Sequence, residues 1–419
     1  MQKDTFAEHL GAAINAAHFS PRRLTTGECQ SAHGQRCTLC HAVSITYTDE
    51  VSLKRSALQR FWNRYLSDIP LDPMVAAPVG RAYRTVTKRR VFQKQGRATI
   101  GLIDPSESGY LEAFEVVRCA IEPDGHAPIY ATVRDYLSTA GTAPLAAHLR
   151  YVIIKGSTTQ FTIIFHVREI THDIARSVNT LSKLLTRSCK GITALYLYEG
   201  DPTSGRTPRY YLEPPHARTQ STFRRVFGEK TIRVRICGRE FSFSPLSFSQ
   251  ANQALFEQLI PRTAQLLDLH REGRLYDLYC GYGPFSLCLA GQTRQVIGVD
   301  ASPEAIASAI SNARSQCIPN ARFTRSNISQ DSLRTLLKGA SQNDAALLDP
   351  PRNGTAPGVI EHIAAQALGK VVHIFCSIDL LPREIRRWRA CGYVPLRAVP
   401  FDMFPGTSEL EVAVFLEPK

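Results

Sequence analysis

Three short segments late in this 419-residue sequence carry reactive side chains at the edges of apolar runs. KVVHIFC ends in Cys376, AALLDPPRNG holds Asp349 and Arg352 around two prolines, and TSELEVAVFL offers Glu409 and Glu411. A thiolate can add to an electron-poor carbon, and a carboxylate can then remove a proton so that the thiolate leaves. One activated cysteine and one carboxylate are the minimum kit for that covalent chemistry. Pro350 and Pro351 stiffen the backbone where a strand would stop. Ser377 and Asp379 beside Cys376 suggest a sheet rim rather than a core.

A second constellation lies upstream. DLYCGYGPFSLCLA combines a strand end, a turn containing Gly281 and Gly283, and the start of an apolar helix. Glycines there let a backbone approach a ligand closely. The strand QVIGVD follows and ends in Asp300, at the distance where an acid of a doubly wound fold accepts hydrogen bonds from a ribose. The turn lacks the GxGxxG spacing of dinucleotide enzymes, which favours S-adenosylmethionine over NAD as the ligand.

These segments need a scaffold. RLYDLYCGYG, QVIGVD, NDAALLDPP, KVVHIFCS and LEVAVFLEP are strand candidates, with helical patterns such as SPEAIASAISNARSQ and LPREIRRWRACG between several of them. This alternation predicts an α/β fold, a doubly wound, mostly parallel Rossmann-like sheet over residues 246–419. Residues 126–245 read as a central α+β module: two strands in LRYVIIKGSTTQFTIIFHV, a helix in ITHDIARSVNTLSKLLTRS, a strand in ITALYLYEG and a hairpin in KTIRVRICGREFSFSP. Residues 1–125 form a third region, with a helical lead-in, Cys29, Cys37 and Cys40 close together, a basic stretch from Arg81 to Arg97 that alternates like an exposed hairpin, and Cys119 beyond it.

Lys and Arg number 50 against 37 acids, a formal charge of +13. Such an excess favours a polyanionic partner, since neutralising phosphates releases counterions. No run of about 18 uncharged apolar residues is present, so a membrane span is not expected, and the amino terminus has no signal-peptide core. A cytoplasmic protein is expected, and its 11 cysteines are not read as a disulfide framework. Four thiolates at 29, 37, 40 and 119 suit tetrahedral zinc or a four-iron cluster, and His33 and His41 keep zinc variants open. Nothing in the sequence points to an obligate protein partner.

From Cys29 to the last strand, the blocks resemble, in order, the RNA uracil-5-methyltransferase family of bacterial tRNA and 23S rRNA enzymes. SFSQANQ is similar to the family's Phe-Phe-Gln block, DLYCGYGPFSL to its S-adenosylmethionine motif, DPPRNG to its Asp-Pro-Pro-Arg-x-Gly, HIFCS to the nucleophile segment and DMFPGTSELEV to the block ending in the base. The resemblance implies Cys376 as nucleophile and Glu411, rather than Glu409, as base. It places Gln250 and Asp349 at the uracil, and Tyr279, Gly281 and Asp300 around the cofactor with them. Carbon 5 of uracil is a poor nucleophile. A thiolate on carbon 6 converts the ring into an enolate that can take the methyl group.

The chain departs from the family at Phe375-Cys376-Ser377-Ile378, where Ser-Cys-Asn-Pro is usual, and at Gly406, where His is usual. A retargeted methyltransferase or an inactive RNA-binding relative is the alternative these departures leave. The ribosomal-RNA branch of the family carries a 4Fe-4S cluster on a similar three-plus-one cysteine set. The resemblance therefore implies such a cluster on Cys29, Cys37, Cys40 and Cys119, and ribosomal RNA rather than tRNA as partner.

Overall fold

The computed structural model describes residues 5–19, 27–29, 40–94, 96–105, 111–139, 141–199 and 222–419. Cys37 lies outside them. Two helices come first, α1 (Phe6–Phe19) and α2 (Tyr47–Tyr65). Thr46 caps α2 by accepting from the Asp49 N–H. The buried face of α2 holds Glu50, Lys54, Ala57, Leu58, Phe61 and Trp62, a helical spacing whose first two members are charged.

A seven-stranded mixed sheet follows, built from β1 (Thr87–Lys94), β2 (Arg97–Pro105), β3 (Leu111–Glu115), β4 (Leu149–Gly156), β5 (Phe161–Val167), β6 (Ile192–Glu199) and β7 (Thr222–Gly228). Helices α3 (His126–Leu137), α4 (Ala143–His148) and α5 (His172–Ser188) pack on it. The strand order is β3-β2-β1-β4-β5-β6-β7. Because β1 pairs with β4, the basic hairpin that precedes residue 126 shares one sheet with the strands that follow it. A small hairpin, β8 (Ile232–Ile236) and β9 (Arg239–Phe243), leads into α6 (Gln253–Leu267).

The remaining chain alternates strand and helix: β10 (Arg274–Leu278), α7 (Pro284–Leu289), β11 (Gln295–Asp300), α8 (Pro303–Ser315), β12 (Ala321–Arg325), α9 (Gln330–Leu336), β13 (Ala345–Leu348), α10 (Val359–Ala365), β14 (Lys370–Phe375), α11 (Leu381–Ala390), β15 (Tyr393–Phe401) and β16 (Glu411–Pro418). The order is β12-β11-β10-β13-β14-β16-β15, parallel except where β16 pairs with β14 and β15. The Rossmann-like α/β class expected from the alternation is the observed one. β13 is buried at every position and β14 at all but its first, as suits strands covered on both faces. The chain reverses direction across the sheet between β10 and β13, so ligands are expected at the carboxyl ends of these strands.

The N-terminal helices are part of this core. Phe6, Leu10, Leu58, Phe61 and Trp62 share one apolar cluster with Leu348, Phe375 and Trp388. Asp379, just beyond Cys376, accepts from the Phe6 N–H at 2.8 Å and so caps α1. Residues 70–75 run along β15, with bridges from Leu71 to Ala398 and from Val75 to Phe401, and they cover what would be an open sheet edge. No helix among the described residues is long and apolar enough to cross a membrane.

Candidate active site

Strand register brings the reactive groups together. β14 and β16 run antiparallel with Phe375 opposite Val412, which sets Cys376 and Glu411 side by side at the end of the ladder. The Cys376 Sγ–H points at Asp349 Oδ1, 3.5 Å away, and at the Pro350 carbonyl at 3.6 Å. Asp349 follows β13 directly, and its N–H reaches the Leu278 carbonyl of β10 at 3.3 Å. Glu411 is 2 % exposed, and its Oε2 has no hydrogen-bond partner among the described residues.

Burial is the first cause of an upward shift in all three groups. Asp349 is raised to about 6. Glu411 is raised to about 8, with the Asp349 charge adding to the effect and Arg352 opposing it. The Cys376 thiol lies well above its ordinary value, pushed there by burial and then by the charges of Asp349 and Glu411. Two acids and a thiol in one dry site cannot all be ionised, so they hold protons that an incoming ligand can redistribute. Glu409 is placed differently: Arg352 Nη1 donates to its Oε1 at 3.1 Å in a half-exposed ion pair.

The turn after β10 is unusual in its backbone. Tyr279, Gly281 and Gly283 all have positive φ, of 71°, 56° and 87°. Tyr279 is a costly exception there, because its side chain disfavours that region. The turn is tied to β11 through Tyr279 and Cys280 N–H bonds to the Val299 carbonyl, at 2.9 and 3.0 Å. Asp300 accepts from the Gly281 N–H at 3.0 Å and from the Ser302 N–H at 2.8 Å. It thus holds the glycine turn open, and a carboxylate with two such bonds still has acceptor capacity for a ligand hydroxyl.

Gln250 sits partly exposed in the segment between β9 and α6, beside Phe248, which is 70 % exposed. Lys155 of β4 fixes the start of this segment by donating to the Pro245 and Ser247 carbonyls at 2.9 and 2.5 Å. Burial lowers that ammonium to about 7. Asn252, unremarked in the sequence although part of SFSQANQ, caps α6 and donates from Nδ2 to the Met403 carbonyl at 3.2 Å. It therefore joins the Gln250 segment to the loop before Glu411.

The Cys29 N–H bonds to the Ala42 carbonyl at 2.8 Å, and Cys40 Sγ accepts from the Ala42 N–H at 3.4 Å. Burial pushes the Cys119 thiol up to about 12, Glu122 adds to this, and Cys40 contributes a smaller charge effect. Among the described residues, no three metal-ligating side chains are grouped to hold an ion. A β-carbon at Gly406 would lie 2.6 Å from Cys40 Sγ, so the cysteine occupies room that the usual histidine would need.

Comparison with known proteins decides the family. A family model described as tRNA (Uracil-5-)-methyltransferase matches residues 218–419. The 23S rRNA (uracil(1939)-C(5))-methyltransferase RlmD of Edwardsiella ictaluri is 36% identical over 412 residues, covering 97% of this chain and 85% of that protein. The chain belongs to the RNA uracil-5-methyltransferase family. A Vibrio campbellii enzyme of the same description is 26% identical over 393 residues, with 92% of this chain and 81% of that one covered. Among solved structures, the tRNA (uracil-54, C5)-methyltransferase of Pyrococcus abyssi, in complex with S-adenosyl-L-homocysteine, superposes with a TM-score of 0.64 at 19% identity. That match covers 89% of this chain and 84% of the other, and it extends the family's fold to this molecule.

Proposed function

We propose that this chain methylates carbon 5 of a uridine in RNA, with 23S rRNA as substrate, through a covalent adduct on Cys376. The observation that carries the reading is the buried trio: a thiol 3.5 Å from Asp349 and beside a carboxylate whose Oε2 has no partner among the described residues. The names of the relatives favour 23S rRNA, and the charge of +13 suits any RNA.

In this mechanism the Cys376 proton passes to Asp349 as the uracil enters. The thiolate adds to carbon 6, and carbon 5 gains the nucleophilicity to take a methyl group. Bound S-adenosylmethionine would supply that methyl as a sulfonium electrophile. The positive-φ turn of Tyr279 to Gly283 and the acceptor Asp300 fit it, being a backbone cradle closed by a carboxylate. Glu411, once the proton it holds in the empty site has left to solvent, removes the proton on carbon 5, the double bond re-forms, and Cys376 departs as thiolate. Gln250 and Asp349 orient the ring, and a target inside folded RNA would be flipped into the site.

Cys29, Cys37, Cys40 and Cys119 would hold a 4Fe-4S cluster. The Cys29–Ala42 backbone pairing brings Cys29 to the segment of Cys40, and the charge effect of Cys40 on Cys119 brings that thiol into the same neighbourhood, although no three metal-ligating side chains are grouped among the described residues. The cluster would act as a cross-link, since methyl transfer moves no electrons. Residues 1–125 then supply the cluster cysteines and, as β1 to β3, part of the seven-stranded sheet that continues through 126–245 as the RNA-binding module, and 246–419 form the methyltransferase domain, in a cytoplasmic enzyme.

The test is RNA transcribed with 5-fluorouridine, mixed with anaerobically purified protein and S-adenosylmethionine. Fluorine blocks proton removal, so a denaturation-resistant RNA adduct is expected, absent from Cys376→Ala. Cofactor binding without any adduct would instead support a retargeted or inactive relative.

A further inference from the structure

The loop between β15 and β16 is held by its main chain, residue after residue, from distant parts of the sequence. The Met403 carbonyl accepts from Asn252 Nδ2 at 3.2 Å, that of Phe404 from Lys54 Nζ at 3.4 Å, and that of Pro405 from the Tyr83 hydroxyl at 2.8 Å. At Gly406 the N–H donates to Glu50 Oε1 at 2.5 Å, and the carbonyl accepts from the His41 N–H at 2.6 Å.

The charged members of this set are fully enclosed. Glu50 and Lys54, one turn apart on α2, meet at 2.7 Å. Lys54 also meets Asp402 at 2.7 Å, and the Tyr47 hydroxyl donates to the other Asp402 oxygen at 3.0 Å. Burying such charges costs desolvation that their attraction barely offsets, and apolar substitutes often serve stability as well. Stability alone is therefore a poor account of them. What they add is geometric: each lone pair and proton fixes one point of the loop that delivers Glu411.

Glu411 needs that support. Glu411 is the first residue of β16 and pairs with Phe401 of β15, but the β14–β16 ladder begins only at Val412, so on the side facing Cys376 it sits just beyond the last paired rung. Whatever holds residues 403–406 sets its reach toward carbon 5, and misplacement by about an ångström can cost a hundredfold in rate. We propose that Glu50, Lys54, Asp402 and Tyr83 are positioning residues for Glu411, a proposal that rests on Glu411 being the base that removes the carbon 5 proton.

Proton removal is the last chemical step, so its failure leaves a trace that simple unfolding does not. With ordinary uridine RNA, wild-type protein should release methylated product and accumulate no adduct. Glu50→Ala should turn over about ten- to a hundredfold more slowly, with KM for RNA unchanged. Methylated RNA should accumulate on Cys376 in that variant. Glu50→Gln, whose amide oxygen can still accept from Gly406, should recover most of the rate. Tyr83→Phe, which removes only the Pro405 tether, should accumulate adduct to a smaller degree and covers the case in which Glu50→Ala does not fold. If wild type traps nothing on 5-fluorouridine RNA, the covalent mechanism itself is wrong. If wild type traps RNA but both variants match it in turnover, or lose turnover with no adduct from uridine RNA, the positioning role is overturned.

Discussion

Arg352 and Glu409 form an ion pair at 3.1 Å on the rim of the site, with the guanidinium lying 5.6 Å from the Phe404 ring centroid. Glu409 is thus ion-paired and partly solvated, whereas Glu411 is enclosed, with one oxygen that has no partner among the described residues. Glu409→Gln should leave turnover within about fivefold, since half-exposed pairs of this kind are worth at most about 1 kcal/mol. Glu411→Gln should cost on the order of a hundred- to ten-thousandfold. Single-turnover methylation assays on the two variants separate the roles, and equal losses would refute the assignment.

Stability should depend on pH through the same carboxylate. Glu411 rises from 4.5 to about 8 in the folded chain, by burial and by the Asp349 charge. The folded state therefore keeps a proton that the unfolded chain has already released across that window. Its contribution is full below the lower value and is lost as pH climbs through the upper one. Thermal melts of RNA-free protein should show Glu411→Gln matching wild type near the acid end and exceeding it at the alkaline end. Parallel curves would show that Glu411 ionises normally.

Gly406 has φ of 91°, and a β-carbon there would meet Cys40 Sγ. Gly406→Ala should therefore destabilise by about 1–3 kcal/mol and lower the iron bound per chain after anaerobic reconstitution. A lowered melting temperature with full iron content would detach Cys40 from the proposed cluster.

Asp300 both braces the Gly281 turn and would meet the cofactor ribose. Asp300→Ala should weaken S-adenosylmethionine binding about ten- to a hundredfold, the scale of losing a hydrogen bond to a charged group. Isothermal titration without RNA measures this directly, and unchanged affinity would exclude the contact.

The catalytic domain was legible because its inner strands, such as β13 and β14, are buried on both faces and read as unbroken apolar runs. β12, ARFTR, was missed because it is an edge strand with polar, exposed positions. β15 carries Pro395 and Pro400, which read as breaks rather than as an outer strand. Helix α2 escaped because Glu50 and Lys54 occupy core-facing positions and interrupt its apolar stripe. Cys376, Asp349 and Glu411 could be picked out as types at strand ends. The tethers on residues 403–406 could not, because their partners, His41, helix α2, Tyr83 and Asn252, are brought together only by the fold.

The Lys54–Asp402 pair spans 348 residues, and the strip beside β15 reaches almost as far. On a ribosome, α2 is made long before the strand that receives it. Until then its Phe61 and Trp62 have no sheet to cover, and Lys54 has only Glu50 for company. The contacts that hold α2 to residues 398–406 therefore cannot form until nearly the whole chain has been made. The interval before closure is when a nascent chain would depend on chaperones, and when its sheet edge would be open to a neighbouring copy.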